Sequence, residues 1–143
     1  MKKAQFIPAL YTHNAIVDGQ HKELIDAVNK LYEAIESGKG KEEAIKTLEF
    51  LASYTVFHFG GEEKLYEAHK YPLLGEHKKA HDAFVVVVRG LQEKLVKEGP
   101  SDAFEAEVEK EITNWLITHI KGADMKAIEW INSASDEQRH NML

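Results

Sequence analysis

Four side chains that could bind a metal ion lie between His58 and His81. His58 and Glu62 are four residues apart, and so are His77 and His81, with a turn expected at Tyr71-Pro72 between the two pairs. Residues four apart share one face of an α-helix, so each pair can direct two ligand atoms at one point. The stretch therefore predicts half of a metal site, carried by two antiparallel helices.

The rest of the chain predicts the helices that would complete this site. Apolar residues recur at helical spacing in four segments, separated by Gly- and Pro-containing loops. The segments are roughly 19–37, with Asp18 as the expected N-cap, then 41–69, 74–97 and 102–120. They predict an all-α protein, an antiparallel up-down-up-down four-helix bundle with an N-terminal extended arm and a short C-terminal helix. A strand at Val85–Val88 is the alternative.

We expect a single domain over residues 1–143. An N-terminal arm covers residues 1–17, the bundle residues 18–121, and a short helix with a frayed tail residues 122–143. Gly122 is expected to interrupt the fourth helix, and the short helix is expected over about 124–133.

The bundle brings further ligand candidates to the level of the helix pair. Residues equally distant from a connecting turn lie level in antiparallel neighbours, and this matches His21 with His58 and His119 with His81. Asp124 matches His77 in the same way, and Gly122 is expected to let the chain unwind so that Asp124 turns toward the site. Seven side chains converge: His21, His58, Glu62, His77, His81, His119 and Asp124.

Five imidazoles and two carboxylates suit two metal ions. One ion could take three histidines and the other two, with both carboxylates bridging and one coordination position left open. Imidazole and carboxylate ligands favour iron, manganese or zinc over calcium or magnesium. Without a metal, each uncompensated buried charge would cost several kcal/mol, so a purely structural role for the whole set is disfavoured.

Composition excludes several other classes of function. The net charge of −6 gives no electrostatic footprint for nucleic acid, and no Lys/Arg cluster indicates a membrane surface. The longest apolar run, Ala83 to Val88, is far shorter than the ~20 residues that span a bilayer. The absence of cysteine excludes disulfides, iron–sulfur clusters and thiol catalysis. No signal peptide is recognisable, and a cytoplasmic location fits.

Four separated motifs carry a resemblance to a known family. They are D-G-Q-H-K-E-L at 18–24, H-F-x-x-E-E at 58–63, Y-P followed by H-x-x-x-H at 71–81, and W-L-x-x-H-I-x-x-x-D at 115–124. In these motifs the chain resembles the hemerythrin family, specifically the bacterial hemerythrins. The resemblance implies that His77, His81 and His119 hold one iron and that His21 and His58 hold the other. Glu62 and Asp124 would bridge the two ions.

By the same resemblance, the protein would bind dioxygen reversibly at the open position of the two-histidine iron. The implied apolar pocket consists of Leu24, Phe59, Trp115 and Leu116. The expected function is oxygen carriage, storage or delivery rather than enzymatic turnover. The expected partner is dioxygen, with no nucleic acid or membrane, and the expected state is a monomer or weak homo-oligomer.

Some residues keep other readings open. The arm departs from the family pattern at Tyr11 and His13, which could supply protons and favour an enzyme acting on peroxide or nitric oxide. An oxygen- or redox-sensing module of a signalling system is a further alternative. Glu63 is expected about 100° away from Glu62 on the helix. His69 and His140 are expected at the surface.

Overall fold

The computed structural model of the protein describes residues 5–36 and 40–141, with side chains up to residue 133. Three long helices, α1 (Ala15–Glu36), α2 (Lys41–Ala68) and α3 (Leu74–Glu98), are followed by a fourth helical stretch. That stretch consists of α4 (Asp102–Val108), α5 (Asn114–His119) and α6 (Met125–Asn141). The described residues contain no strand, and Val85–Val88 is helical, so the prediction of an all-α four-helix bundle is confirmed. None of the described helices is long and apolar enough to cross a membrane.

Two π-helical turns join the parts of the fourth stretch. They cover Glu109–Thr113 and Ile120–Asp124, and the backbone stays helical at every junction. The α-helix is therefore interrupted around Gly122 as predicted, but by a π turn and not by a loss of helical backbone. A π turn accommodates one additional residue while the backbone remains hydrogen-bonded, so the chain widens there instead of breaking. Helix α6 also continues past the predicted range of 124–133.

The first helix begins earlier than its predicted cap. α1 begins at Ala15, and Asn14 Oδ1 accepts a hydrogen bond from the Val17 amide at 3.1 Å, which is an N-cap interaction. Asp18 instead lies in the first turn and is buried. Its Oδ1 accepts hydrogen bonds from the Thr12 amide and hydroxyl, both at 2.8 Å. Asp18 thus fastens the preceding arm to α1.

The described part of the arm packs over the bundle. A 3₁₀ turn, Pro8–Leu10, contacts the Ile120–Asp124 turn, and Leu10 is buried in the main core. The arm therefore lies directly against the segment that ends in a predicted metal ligand.

Two apolar clusters form the core. The larger includes Leu24, Leu51, Phe84 and Leu116, and the smaller includes Tyr66 with residues of α6. Burying each large side chain stabilises the fold by roughly 1.5–3 kcal/mol. The predicted ligands lie between these clusters, so the bundle holds a polar layer enclosed by apolar residues.

Candidate metal centre

All seven predicted ligand side chains meet in the middle of the bundle. They form two groups in which the potential ligand atoms lie within 4.8 Å of one another. Glu62 and Asp124 belong to both groups. The first group adds His77, His81 and His119, and the second adds His21 and His58. Every member is buried, the most exposed being His119 at 8%.

Helical spacing explains how α2 and α3 contribute. His58 Nε2 lies 3.1 Å from Glu62 Oε2, across one turn of α2. His77 and His81 are likewise one turn apart on α3, with their ring centroids 4.5 Å apart. His81 Nε2 lies 3.4 Å from Glu62 Oε1, so the side chains from α2 and α3 form one cluster.

The fourth stretch contributes through its second π turn. His119 ends α5 and Asp124 ends the Ile120–Asp124 turn, five residues later. His119 Nε2 nevertheless lies 3.3 Å from Asp124 Oδ1. In a regular α-helix, residues five apart point to different faces. A π turn, which hydrogen-bonds residue i with residue i+5, places His119 and Asp124 on the same face.

The two carboxylates dominate the electrostatics of the cluster. Asp124 Oδ2 and Glu62 Oε2 each lie 3.1 Å from His21 Nε2, and Asp124 Oδ1 lies 2.9 Å from His77 Nε2. Burial alone would lower the pKa of His21 and of His77. The Asp124 and Glu62 carboxylates outweigh that effect and raise both pKa values to about 9. In the absence of metal, protonated imidazoles therefore neutralise the buried carboxylates.

The carboxylates are correspondingly held in their charged form. Burial acts to raise the pKa of Glu62, but close contacts with the surrounding histidines lower it well below its usual range. The pKa of Asp124 is also lowered: burial and the Glu62 charge oppose this, and contacts with His119, His21 and His77 prevail. Both carboxyl groups are thus ionised near neutral pH.

A cation fits this donor set because several inward atoms lack a well-oriented hydrogen bond. His58 Nε2, His77 Nε2 and Glu62 Oε1 are fully buried, and their contacts within the cluster lack good hydrogen-bond geometry. A buried polar atom without a partner costs about 1–3 kcal/mol. Metal coordination would satisfy these atoms, and nitrogen with carboxylate oxygen is a donor set that suits transition metals.

Two residues that the sequence analysis did not assign to the site support the histidines from outside. Gln20 Oε1 lies 2.6 Å from His58 Nδ1, and Glu63 Oε2 lies 2.9 Å from His81 Nδ1. Each contact orients a ring so that its Nε2 points into the cluster. A ligating histidine usually needs an acceptor for its second nitrogen, and that requirement was the signal that could have identified both residues.

Aromatic rings cover one side of the cluster. Phe59 stacks on His81 with centroids 3.7 Å apart, and Trp115 stacks on His119 at 4.4 Å. Leu24 and Leu116 are buried, while Trp115 is half-buried. Phe59 and Trp115 thus contact candidate ligands, Leu24 and Leu116 lie in the same core, and the role of the four residues in holding a small molecule stays a prediction.

The other singled-out residues lie apart from the cluster. Tyr11 is 39% exposed and its ring packs on Phe6, while His13 is exposed on a backbone with φ of 70°. His69 is half-buried just beyond the end of α2. The side chain of His140 is outside the part of the chain that the structure describes.

Comparisons with known proteins agree with this geometry. The profile of the hemerythrin HHE cation binding domain matches residues 12–131. A bacteriohemerythrin of Methylococcus capsulatus is 36% identical over 117 residues, covering 79% of this chain and 84% of that protein. A bacteriohemerythrin of Pseudomonas aeruginosa is 29% identical over 128 residues, covering 90% and 81%. A solved structure described as a leucine-to-phenylalanine mutant superposes with a TM-score of 0.79 at 29% identity, covering 92% of this chain and 98% of the other.

Proposed function

The chain belongs to the hemerythrin family, and from this membership we propose that it is a non-haem di-iron protein that binds dioxygen reversibly. Its buried cluster of histidine, glutamate and aspartate fits a di-iron site. Oxygen carriage, storage or delivery in the cytoplasm is the role that this chemistry serves.

The unequal histidine content of the two ligand groups carries the proposal. One group has three histidines and the other has two, while Glu62 and Asp124 are common to both. If Glu62 and Asp124 served both ions, the two-histidine position would have one protein ligand fewer than its neighbour. That position is where a small molecule would bind, close to Leu24, which follows His21 by one turn of α1.

The apolar wall supports reversible binding. Phe59 and Trp115 stack on the rings of His81 and His119, and Leu24 and Leu116 belong to the same apolar core. Such a lining limits the access of water and the delivery of protons, and both would otherwise promote irreversible oxidation. When bound, the iron pair supplies the electrons for dioxygen binding.

The enzymatic alternative finds no support from the arm. It was motivated by Tyr11 and His13, and both side chains are exposed at the surface. Neither is therefore placed to deliver protons into the buried cluster.

An anaerobic spectroscopic titration tests the proposal. Reduced, iron-loaded protein should develop visible absorption bands when air is admitted, and the bands should disappear when oxygen is removed. His58→Ala should bind iron with reduced stoichiometry and lose the bands, whereas His69→Ala, which alters a histidine outside the cluster, should retain them. Rapid oxidation with no oxygen-dependent bands that reverse would refute reversible binding.

A further inference from the structure

The outer nitrogens of two ligand histidines are held by acceptors of different charge. His81 Nδ1 donates to the Glu63 carboxylate at 2.9 Å, and His58 Nδ1 donates to the Gln20 side-chain carbonyl at 2.6 Å. Both contacts fix the ring with Nε2 inward. Only the first places a formal negative charge behind the ring.

The two contacts serve different ligand groups. His81 belongs to the three-histidine group and His58 to the two-histidine group. The Glu63 charge therefore acts more strongly on the three-histidine position than on the two-histidine position. Its side chain is 21% exposed, but it acts through the His81 ring, which is 1% exposed.

Such a charge changes what the histidine donates to a metal. A carboxylate that accepts the outer N–H increases the basicity of the imidazole, so the ring stabilises a more highly charged ion. An amide oxygen accepts the same hydrogen bond without adding charge. Interactions of this kind are stronger among buried groups than in water.

We propose that Glu63 and Gln20 are positioning residues that make the two metal positions electronically unequal. Glu63 favours the higher-charged ion at the three-histidine position, and Gln20 leaves the two-histidine position better able to retain its electron. A singly oxidised centre then carries its extra charge at the position without the open site. This inference rests on the proposed di-iron function and adds an asymmetry between its two halves.

Glu63→Gln separates the charge of Glu63 from its role in orienting the ring. Glutamine retains an acceptor for His81 Nδ1 but removes the charge. Glu67→Gln, one turn further along α2 at an exposed position, removes the same charge without contacting a ligand and is the matched control. Gln20→Glu adds a charge behind His58 and is the converse variant.

The measurement is the one-electron midpoint potential of the iron-loaded protein in an anaerobic redox titration. We expect Glu63→Gln to shift the one-electron equilibrium about tenfold toward the reduced form, which is a rise of about 59 mV. Gln20→Glu should shift the potential downward, and Glu67→Gln should leave it unchanged. Equal potentials for Glu63→Gln and Glu67→Gln would mean that the Glu63 charge has no electronic effect on the centre, which overturns the proposal whatever the cobalt result.

Cobalt(II) binding gives a second readout that requires neither iron nor oxygen. Glu63→Gln should weaken cobalt binding at the three-histidine position about tenfold, at the lower end of the 10- to 100-fold typical of such outer contacts. Unchanged cobalt affinity would likewise overturn the proposal. A wild-type protein that binds iron but gives no reversible oxygen spectrum would refute the proposed function alone, because the potentials and cobalt affinities still decide the asymmetry.

Discussion

Raising the pH should destabilise the metal-free protein between about pH 6.5 and pH 9. The pKa values of His21 and His77 rise from 6.5 to about 9 in the folded protein, because the Asp124 and Glu62 carboxylates outweigh the opposing effect of burial. Folded values above the unfolded value mean that the folded state binds protons more tightly. Their contribution to stability is therefore complete below about pH 6.5 and is lost as the pH rises through about 9.

The expected loss is about 3 kcal/mol. One pKa unit corresponds to about 1.4 kcal/mol, and each shift spans between two and three units. His21 and His77 share the same two carboxylates, so their contributions are coupled and we do not double the value. For a domain of this size, about 3 kcal/mol lowers the melting temperature by about 10 °C.

Other shifted groups leave this pH window unchanged. The lowered pKa values of Glu62 and Asp124 give stability that is present above their ordinary values and lost only in acid. Burial, followed by the Asp124 charge, raises the pKa of Tyr66 above its usual 10.0, so this hydroxyl is neutral throughout. The change in stability between about pH 6.5 and pH 9 is therefore assigned to His21 and His77.

Thermal unfolding of chelator-treated protein at pH 6.5 and pH 9.0, followed by circular dichroism, measures the effect. The double variant His21→Gln/His77→Gln should lose the difference between the two pH values, while His69→Gln should retain it. Zinc-loaded protein should not lose stability in this range, because metal binding requires deprotonated imidazole and is favoured by higher pH. Equal melting temperatures for the metal-free protein at both pH values would refute the reasoning.

Three further predictions concern single side chains. Glu62→Gln should lower the metal content below two ions per chain, because this carboxylate belongs to both ligand groups. Metal analysis that still finds two ions per chain would contradict this. Phe59→Ala should reduce the free energy of unfolding by about 3–5 kcal/mol in urea, because it empties a buried site against His81; a loss below about 1 kcal/mol would contradict that packing. Asp18→Ala should cost about 1–3 kcal/mol by leaving the buried Thr12 donors unpaired, and should expose the arm to proteolysis; resistance equal to wild type would argue against the clamp.

The helices and the ligand cluster could be predicted because both follow from helical periodicity. The pairs His58/Glu62 and His77/His81 need only the α-helical repeat and the turn between them. Matching positions across the turns tolerates errors of a residue, since each shifts the level by about 1.5 Å. These arguments depend on the spacing of residues along regular helices and not on details of side-chain packing.

The features that the sequence analysis missed depend on which of several possible side-chain and backbone hydrogen bonds forms. The spacing of residues along the chain does not reveal this. Asp18 had the residue type of an N-cap, but Asn14 takes that role and Thr12 engages Asp18 instead. Gly122 suggested that the chain unwinds there, but a π turn brings Asp124 into line with His119 while the backbone stays helical. Glu63 was assigned a direction on its helix, but its contact with His81 depends on how α2 and α3 pack together.

The π turns have a consequence for how this chain tolerates insertions and deletions. Buried residues of the fourth stretch recur at every fourth position: Phe104, Val108, Ile112, Leu116, Ile120 and Asp124. In a regular α-helix this spacing would drift by about 40° at each step, so the last residue would face roughly opposite to the first. The two wider turns absorb the drift. Deleting one residue within Glu109–Thr113 would convert this π turn into an ordinary α-helical turn, and the residues after it would keep the faces they now present to the core. The same deletion in the middle of α2 would rotate the rest of that helix by about 100° relative to the core.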